Sequence, residues 1–563
     1  MSDMPEDTDW PLRPWLLAGL LAAAGVLVDL VSDHGEAQTV PWRMALAALF
    51  VFGPIAAAFT LERNRYAAPG IFATLVGLVM AGIAWRAASA GDHYPDAQFW
   101  IGAGVVSVAL ALPLFQAGFH RRRFAIPYPE VHAHAWNDAL SGAGALAFTG
   151  VSWAVLALLN ELFKLVGIHL IDTLIDESWF AWMFSGAAFG AALGTLRNQL
   201  KILGTLQSVA MLVLSLLAVP LALALLVFLV ALVATGGQAL WNATDSATPV
   251  LLACAIGAFG LGNAILRDSD AEMTGSRVLR IAALVLCLAI LPLTVFAAIS
   301  MGARIGQHGL SPERLWGLIA VAVACAFGVA YLVAVIRGRG AGWRERVRQA
   351  NLHLAAVVCG VAFTLALPIF DFGAISARNQ VARLDAGKVT PEKFDYSALR
   401  WDFGDAGRKA LARLTKSSNA KVAELARTTL AQQQRSYRAD ALGKTREDFD
   451  LSAPTGEPLR TQALDYLVAN PWACEERCVA LDAGRTEEGA ARILIVQGSG
   501  YQEIIATSPD MAPIRAPEAA PAAVKLEKGS KVEIREVPKR YVFIDGKPIG
   551  QPIDELEGAP PPR

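Results

Sequence analysis

The sequence predicts an α-helical polytopic membrane bundle of about eleven transmembrane helices, with a small C-terminal α+β soluble domain. Hydrophobic residues make up 54% of the 563 positions and charged residues only 18%, with a mean hydropathy of +0.42. Apolar stretches of about 20 residues, enough to cross a bilayer as a helix, recur from Trp15 to Phe372. Charged residues become frequent from Ser376 onward. The first part is therefore membrane-embedded and the last part water-soluble.

Eleven apolar segments are long enough to span a membrane. Their predicted bounds are 14–32, 42–61, 69–88, 98–118, 143–166, 179–196, 204–235, 248–266, 278–302, 312–336 and 350–371. The segment 204–235 is kept as one tilted or kinked helix around Pro220, because half of it is too short to cross. No cleavage site follows the first apolar run, so we expect it to be retained as a span after a short cytoplasmic tail, 1–13. The bundle is thus predicted over 14–372.

Lys and Arg concentrate in alternate loops, the pattern that identifies cytoplasmic loops. The basic loops contain Arg63, Arg65, Arg121, Arg122, Arg123, Arg197, Lys201, Arg267, Arg277, Arg280, Arg337, Arg339, Arg344, Arg346 and Arg348. The intervening loops are poor in positive charge, with exceptions at Arg304 and Arg314. We therefore expect a cytoplasmic N-terminus, and an odd number of spans places the C-terminal region on the periplasmic side.

The soluble part has helical segments first and strand segments after them. Residues 373–510 are predicted as a periplasmic region with helices over 406–414 and 420–438, followed by a hairpin of 492–497 and 501–507. An Ala/Pro linker spans 511–523. Residues 524–557 are predicted to hold a strand pair, 531–536 with 540–544, and Asp545-Gly546 is a turn signal. The tail 558–563 is predicted to be disordered.

The loop before span five is the richest polar stretch near the membrane. It contains His134 and Asn137 together with His120, Glu130, His132 and Asp138. Imidazole and carboxylate are ordinary ligands of transition metals, but no spacing here matches a metal motif. Anchoring at the membrane interface, with Arg121 to Arg123 on anionic lipid, explains the same residues. No metal or other cofactor is therefore predicted.

Span five ends with Glu161 and Lys164, which share a helix face at this spacing. An ionisable residue within a span suggests a proton or substrate path. The structural alternative is a local ion pair near the interface, with the lysine extending toward water.

Gly186, Gly190 and Gly194 recur at every fourth position of span six. Small residues at this interval let two helices approach closely. The pattern predicts tight packing, within the chain or between copies, and leaves the oligomeric state open.

Arg304 and Arg314 lie on the side where arginine is disfavoured. Ser311, Pro312 and Glu313 are explained by helix capping, but capping does not explain the two arginines. A lipid headgroup or an acidic envelope partner is the hypothesis for them.

Cys474 and Cys478 are the two cysteines of the soluble part, in a compartment where disulfides persist. A structural bridge is predicted, since a redox pair is more usually spaced C-x-x-C.

The sequence lacks the motifs and the charge that several classes of activity require. The net charge of −1 gives no basic face for nucleic acid. The sequence contains no phosphate-binding Walker loop, zinc-protease helix motif, nucleophile elbow or dinucleotide fingerprint. No catalytic residue is assigned.

A set of short motifs resembles an uncharacterised family of bacterial inner-membrane proteins, known only as a domain of unknown function. They are Tyr128-Pro129, His134 to Asn137, Leu162 to Ile168, Trp179-Phe180, Gly186 to Gly190, Gly309 to Arg314 and Ile375 to Leu384. The resemblance covers about 110–410. It implies a multi-pass inner-membrane protein with an extracytoplasmic tail and supplies no activity.

Two functions remain. The first is a non-enzymatic envelope scaffold, sensor or accessory protein with a periplasmic interaction domain, for which the bilayer and an envelope protein are the partners. The alternative is a transporter or lipid-handling protein that uses Glu161 with Lys164 and Arg304 with Arg314.

Overall fold

The structure is a computed structural model. It describes residues 10–32, 40–235, 247–273, 275–338, 340, 342–432, 446, 449–452, 457–470, 473–474, 477–485, 491–497, 500–506, 513–514, 542–544 and 547–549. Contacts divide the chain into two units, Met1–Gln433 and Gln434–Arg563.

The first unit is helical. Its helices are α1 (Arg13–Ser32), α2 (Pro41–Thr60), α3 (Ala67–Ala90), α4 (Ala97–Gln116), α5 (Phe119–Arg122), α6 (Tyr128–Leu165), α7 (Leu170–Ile175), α8 (Ser178–Asn198), α9 (Leu200–Ala234), α10 (Thr248–Leu266), α11 (Arg277–His308), α12 (Pro312–Arg337), α13 (Trp343–Ala366), α14 (Phe372–Asp385), α15 (Tyr396–Trp401), α16 (Gly404–Leu414) and α17 (Ala420–Ala431). In the described part of the chain, 11 helices are long and apolar enough to cross a membrane. They are α1 to α4, α6 and α8 to α13, so the predicted polytopic bundle is confirmed.

Two helices, α6 and α13, differ most in extent from their predicted spans. Helix α6 begins at Tyr128 rather than at 143 and has 38 residues, a length of about 57 Å. The polar stretch that was predicted as a loop is therefore its first part, with Pro129 in the first turn, where proline is favoured. Helix α13 occupies Trp343–Ala366 rather than 350–371. It ends before Pro368, whose ring disfavours helix at the preceding residue.

The bundle packs around several apolar clusters. Helix α11 lies at the centre of the largest, where Leu286, Leu293 and Ala297 are fully buried against α9, α10 and α12. A second cluster joins α1, α2, α6 and α8 around Leu17 and Leu193. The bundle has two ends. The basic end is defined by the connections after α2, α4, α8, α10 and α12, and the opposite end by those after α3, α7, α9 and α11.

Helices α14 to α17 form a small layer at the opposite end. Asp371, Asp395 and Asn419 accept hydrogen bonds from main-chain amides in the first turns of α14, α15 and α17, which fixes where these helices begin. Their shared core includes Leu399 and Leu411. Because this layer belongs to the first unit, the unit boundary falls inside 373–510, which was predicted to be one region.

The second unit is a small α+β domain. In the described part of this unit the strands are β1 (Asp450–Ser452), β2 (Arg477–Arg485), β3 (Ala491–Gln497), β4 (Gly500–Ala506), β5 (Pro513–Ile514), β6 (Val542–Ile544) and β7 (Lys547–Ile549), and the helix is α18 (Glu457–Ala469). The first five form a sheet in the order β1-β2-β3-β4-β5, and α18 packs on it. Strand β1 runs parallel to β2, and the other pairs are antiparallel. A core of its own, with Leu467, Ile493 and Ile504 fully buried, holds the unit together.

The strands agree with the sequence analysis at the hairpin and differ after it. Strands β3 and β4 pair as the predicted hairpin. Strand β5 lies within the predicted linker, because Pro513 and Ile514 extend the sheet by pairing with β4. The last strand pair is 542–544 with 547–549 rather than 531–536 with 540–544. Residues 531–536 and the tail 558–563 lie outside the described residues.

Candidate functional site

The three glycines of α8 lie directly against α1. A side chain added at Gly186 would collide with the carbonyl of Leu21, and one added at Gly190 with the carbonyl of Leu17. At Gly194 the added carbon would lie 2.6 Å from Pro14 Cα. The seam formed by Gly186, Gly190 and Gly194 therefore joins two helices of one chain at backbone contact distance.

Glu161 and Lys164 lie near the end of α6 in an ion-pair group. Lys164 Nζ is 3.5 Å from Glu161 and 2.6 Å from Asp172. Asn160 also donates to Asp172, at 3.1 Å. The hydrogen bond from Lys164, with that from Asn160, lowers the pKa of Asp172 below its usual value. Since the Glu161 side chain is 74% exposed, this geometry matches an interfacial ion pair rather than a group enclosed in a path.

His134 and Asn137 lie in the first part of α6, at the basic end. The main-chain carbonyl of Asn137 accepts from Ser141 Oγ at 2.6 Å. Next to them, Gln116 Nε2 donates to Asp138 at 3.2 Å and to the carbonyl of Phe59 at 2.8 Å. These bonds tie α6 to α4 and α2. Among the described residues, no group of three His, Cys, Asp or Glu side chains could hold a metal ion.

Arg304 and Arg314 lie at the opposite end of the bundle, where α11 ends and α12 begins. Arg314 Nη1 donates to the carbonyl of Gly309 at 2.9 Å. Arg383 from α14, which was not predicted as a site residue, donates to the carbonyls of Gly306 at 2.8 Å and Gln307 at 2.6 Å. Positive groups on the last carbonyls of a helix are favoured by its dipole. The structure thus brings a third arginine to the two that were predicted.

A buried carboxylate lies at the start of α4, and sequence reasoning missed it. Asp96 is 1% exposed, and its Oδ2 accepts from the indole N–H groups of Trp100 and Trp316, each at 3.3 Å. The other oxygen is buried without a hydrogen-bond partner in the described part of the chain. Burial raises the pKa of Asp96 above its usual value. The guanidinium of Arg86 stacks over the Trp100 ring at 3.3 Å. An acid four residues before a tryptophan was the only signal available.

A second buried polar group was also missed. The side chains of Asn263, Tyr331 and Asn351 form a closed triangle of hydrogen bonds, each 2.7 Å long. It joins α10, α12 and α13. Closer to the basic end, Arg348 is 2% exposed and donates to the carbonyls of Leu266 at 2.7 Å and Arg267 at 3.2 Å. Its side chain also lies 2.9 Å from Asp270. Both groups fasten α13 to α10.

The helical layer is held to the α3–α4 connection by a charged contact. Asp405 accepts from Arg408 at 2.7 Å and lies 2.8 Å from His93 Nδ1. Arg408 also donates to the carbonyl of Asp92 at 2.8 Å. A side chain at Gly404 would collide with the carbonyl of His93, which shows how closely the two segments approach.

We expect this contact to weaken in acid. The hydrogen bond from Arg408, with that from His93, lowers the pKa of Asp405 from its ordinary value of 3.8. A lowered pKa means that the carboxylate stabilises the folded state above pH 3.8 and that this contribution is lost as the pH falls below it. Hydrogen exchange should therefore show less protection of 91–98 and 404–414 at pH 3 than at pH 7. Asp405→Asn should already lose protection at pH 7, whereas the exposed control Asp385→Asn should not. Equal protection of wild type and Asp405→Asn at pH 7 would contradict the role of this contact.

Cys474 and Cys478 are joined by a disulfide in the second unit, and both are buried. The bridge connects the segment after α18 to β2. The other cysteines, Cys254, Cys287, Cys325 and Cys359, are free thiols in the membrane helices.

We expect this bridge to be present in the purified protein. Alkylation of the denatured chain should label four cysteines before reduction and six after it, because two of the six are in the bridge. The Cys474→Ser, Cys478→Ser double variant should give four labels in both conditions. Intact-mass spectrometry counts the labels, and six labels without reductant would exclude the bridge.

Comparison with known proteins gives a family and no activity. A family model described as a domain of unknown function, DUF4153, matches residues 16–414. No curated protein and no solved structure matches the chain. The matched region begins within α1, contains the other ten candidate spans in full and ends at the last residue of α16.

Proposed function

We propose, from the premise that the chain belongs to the DUF4153 family of unknown function, that it is a non-enzymatic envelope protein of the bacterial inner membrane. Its bundle would hold the second unit on the periplasmic side, where that unit contacts another envelope component. One observation carries the proposal. The second unit has its own core and a disulfide, features of a domain that folds in an oxidising compartment.

Three arginines of the first unit make contacts within that unit, which supports an anchoring role for the bundle. The contacts of Arg348, Arg314 and Arg383 described above are made largely with main-chain carbonyls at helix ends, so they stabilise the helix arrangement. The alternative, transport through Glu161 and Lys164, draws less support, because both belong to a surface ion-pair group with Asp172. Lipid handling by Arg304 and Arg314 draws its support only from their position, near the end of α11 and in the first turn of α12.

Two fusions test the compartment. Alkaline phosphatase, which is active only in the periplasm, and a fluorescent protein that matures only in the cytosol are joined separately after Arg563. We expect phosphatase activity without fluorescence, because the basic loops favour the cytoplasm and 11 spans reverse the side of the chain. Fusions after Arg337, in a basic connection, serve as the control and should give the reverse result. Fluorescence from the Arg563 fusion would overturn the proposal.

The interaction itself needs a second experiment. A photo-crosslinking amino acid at Gln462, which is exposed on α18, should capture an envelope component in living cells if this domain binds one. The same amino acid at Leu467, which is fully buried on α18, is the matched control and should capture nothing. If neither position gives a crosslink while the chain is folded and inserted, the role assigned to the domain is wrong.

A further inference from the structure

A cavity of about 500 Å³ lies among four membrane helices of the first unit, α1, α2, α6 and α8. Helix α2 packs on α1, and α6 packs on α8. The two pairs are joined where the seam of Gly186, Gly190 and Gly194 holds α8 against α1. Each of the four helices contributes at least three residues to the lining of the cavity. It is therefore enclosed by the bundle on several sides.

The cavity has a closed inner side and an open outer side. Ala24 and Val28 of α1 line it, and both are buried. Leu146 of α6 also lines it but is 65% exposed, and Trp182 of α8 is exposed as well. The cavity therefore extends from the outer surface of the bundle inward to α1, and it opens sideways beside Leu146 and Trp182.

The wall of the cavity suits an apolar occupant. The lining drawn from the described residues includes no charged side chain and two hydroxyl groups, and both hydroxyls are already hydrogen-bonded. Thr149 donates to the carbonyl of Ala145 at 2.8 Å. Ser185 accepts from the indole N–H of Trp153 at 3.0 Å. A polar group that enters an apolar site without a hydrogen-bond partner loses its hydration at a cost, so the wall disfavours a polar ligand.

The position of the cavity indicates which apolar molecule this is. All four helices are candidate membrane spans. On α1 the lining runs from Leu21 to Val28, inside a span of 20 residues, where the molecules beside a helix are lipid acyl chains. Trp182 lies about 6 Å from the start of α8. Tryptophan is favoured at that depth because its N–H meets the polar region of the lipid while its rings stay in hydrocarbon.

The size of the cavity favours an acyl chain over a helix of another chain. Leu21 and Val28 are about 10 Å apart along α1, so the cavity has a mean cross-section of roughly 50 Å². A helix about 10 Å wide needs roughly 80 Å². At roughly 30 Å³ for each methylene group, close to the volume of a water molecule in the liquid, the cavity has room for about 16 methylene groups.

We propose that this cavity binds an acyl chain of a membrane phospholipid, which enters sideways from the bilayer past Leu146 and Trp182. The chain fills the space between α2 and α6 and covers the buried side of α1. This site does not depend on the compartment of the second unit or on a partner of that unit.

The test uses the full chain in nanodiscs of phosphatidylethanolamine that carries a diazirine in the middle of one acyl chain. After irradiation, mass spectrometry of peptides from α1 locates the label. We expect label on Ala24 and Val28, which line the cavity. Leu30, which is 70% exposed, reports contact with the surrounding lipid and should also be labelled. Leu17 is buried and does not line the cavity, so it should stay unlabelled. Label on Leu30 without label on Ala24 or Val28 would overturn the proposal.

Two variants that fill the cavity separate this site from general contact with lipid. Thr149→Trp on α6 and Val51→Trp on α2 each place an indole in the cavity from a different wall, so either serves if the other fails to fold. Each should remove the label from Ala24 and Val28 and leave that on Leu30. Thr149→Val keeps the size of the side chain and should leave all labels unchanged. Labels on α1 that persist in the tryptophan variants would contradict the proposal.

The source of the chain is tested in the same nanodiscs. Free palmitate, present as a minor component of the bilayer, should leave the labels on Ala24 and Val28 unchanged, because the phospholipid is in large excess. Loss of these two labels with retention of that on Leu30 would assign the cavity to a free fatty acid and would overturn the proposal.

Discussion

Replacement of Gly190 by leucine is expected to prevent the folding of the bundle, the largest effect predicted for a single substitution in this protein. The carbonyl of Leu17 occupies the position that any side chain at Gly190 would need. Adding even a methylene group to a well-packed core costs about 1–3 kcal/mol. Leucine adds a whole side chain against a rigid backbone, so α1 and α8 would have to separate.

Fluorescence-detected size-exclusion chromatography measures this effect. The Gly190→Leu protein should elute as aggregate or fail to accumulate, and Gly190→Ala should fold with a reduced melting temperature. Gly19→Leu is the matched control, because Gly19 lies on α1 with open space around its α-carbon. A monodisperse Gly190→Leu protein with the wild-type melting temperature would show that α1 and α8 do not pack as described.

Arg348→Leu should give the second largest loss of stability, about 2–4 kcal/mol. The substitution leaves the carbonyls of Leu266 and Arg267 without the donor that binds them in a buried place. Asp270 loses one of its partners but keeps Arg344 at 3.4 Å, so part of its stabilisation remains. The expected result is a clear fall in melting temperature with loss of protection of α10 and α13 in hydrogen exchange.

The neighbouring Arg346 provides the control for this prediction. Arg346→Leu removes the same positive charge from the same first turns of α13, but its side chain is exposed. If these arginines served only to orient the helices in the membrane, the two variants would have the same free energy of unfolding. A difference of less than 0.5 kcal/mol in the free energy of unfolding, about the usual range for a surface substitution, would contradict the role given to Arg348.

The membrane part of the fold could be read from the sequence because hydrophobic length is a local property. Helix α10 occupies 248–266, as predicted. The error at α6 has a physical reason. Hydropathy detects residues that face lipid, whereas His132 to Asp138 continue the same helix with several polar side chains, of which Asp138 accepts a hydrogen bond from Gln116 on α4. A helix that extends beyond the hydrocarbon gives no hydropathy signal for the extension.

The site residues were harder to predict because their partners are distant in the sequence. The spacing of Gly186, Gly190 and Gly194 predicted a close helix contact, but nothing local identified α1 as the partner. Arg314 was noticed for its unusual side of the membrane, whereas Arg383 lies in a soluble helix where arginine is ordinary. Only the fold brings these two to the same helix end.

The seam between α1 and α8 also constrains how the chain is made. Leu17 emerges from the ribosome long before Gly190, and synthesis of the intervening residues takes roughly ten to thirty seconds at ordinary translation rates. During that interval the first helix has entered the lipid without its partner. Biogenesis therefore needs one of two things. Either the insertion machinery holds α1 as a chaperone would, or α1 is stable in lipid before α8 has been made. Helix α1 has no charged residue between Arg13 and Asp29, so it suits the second route.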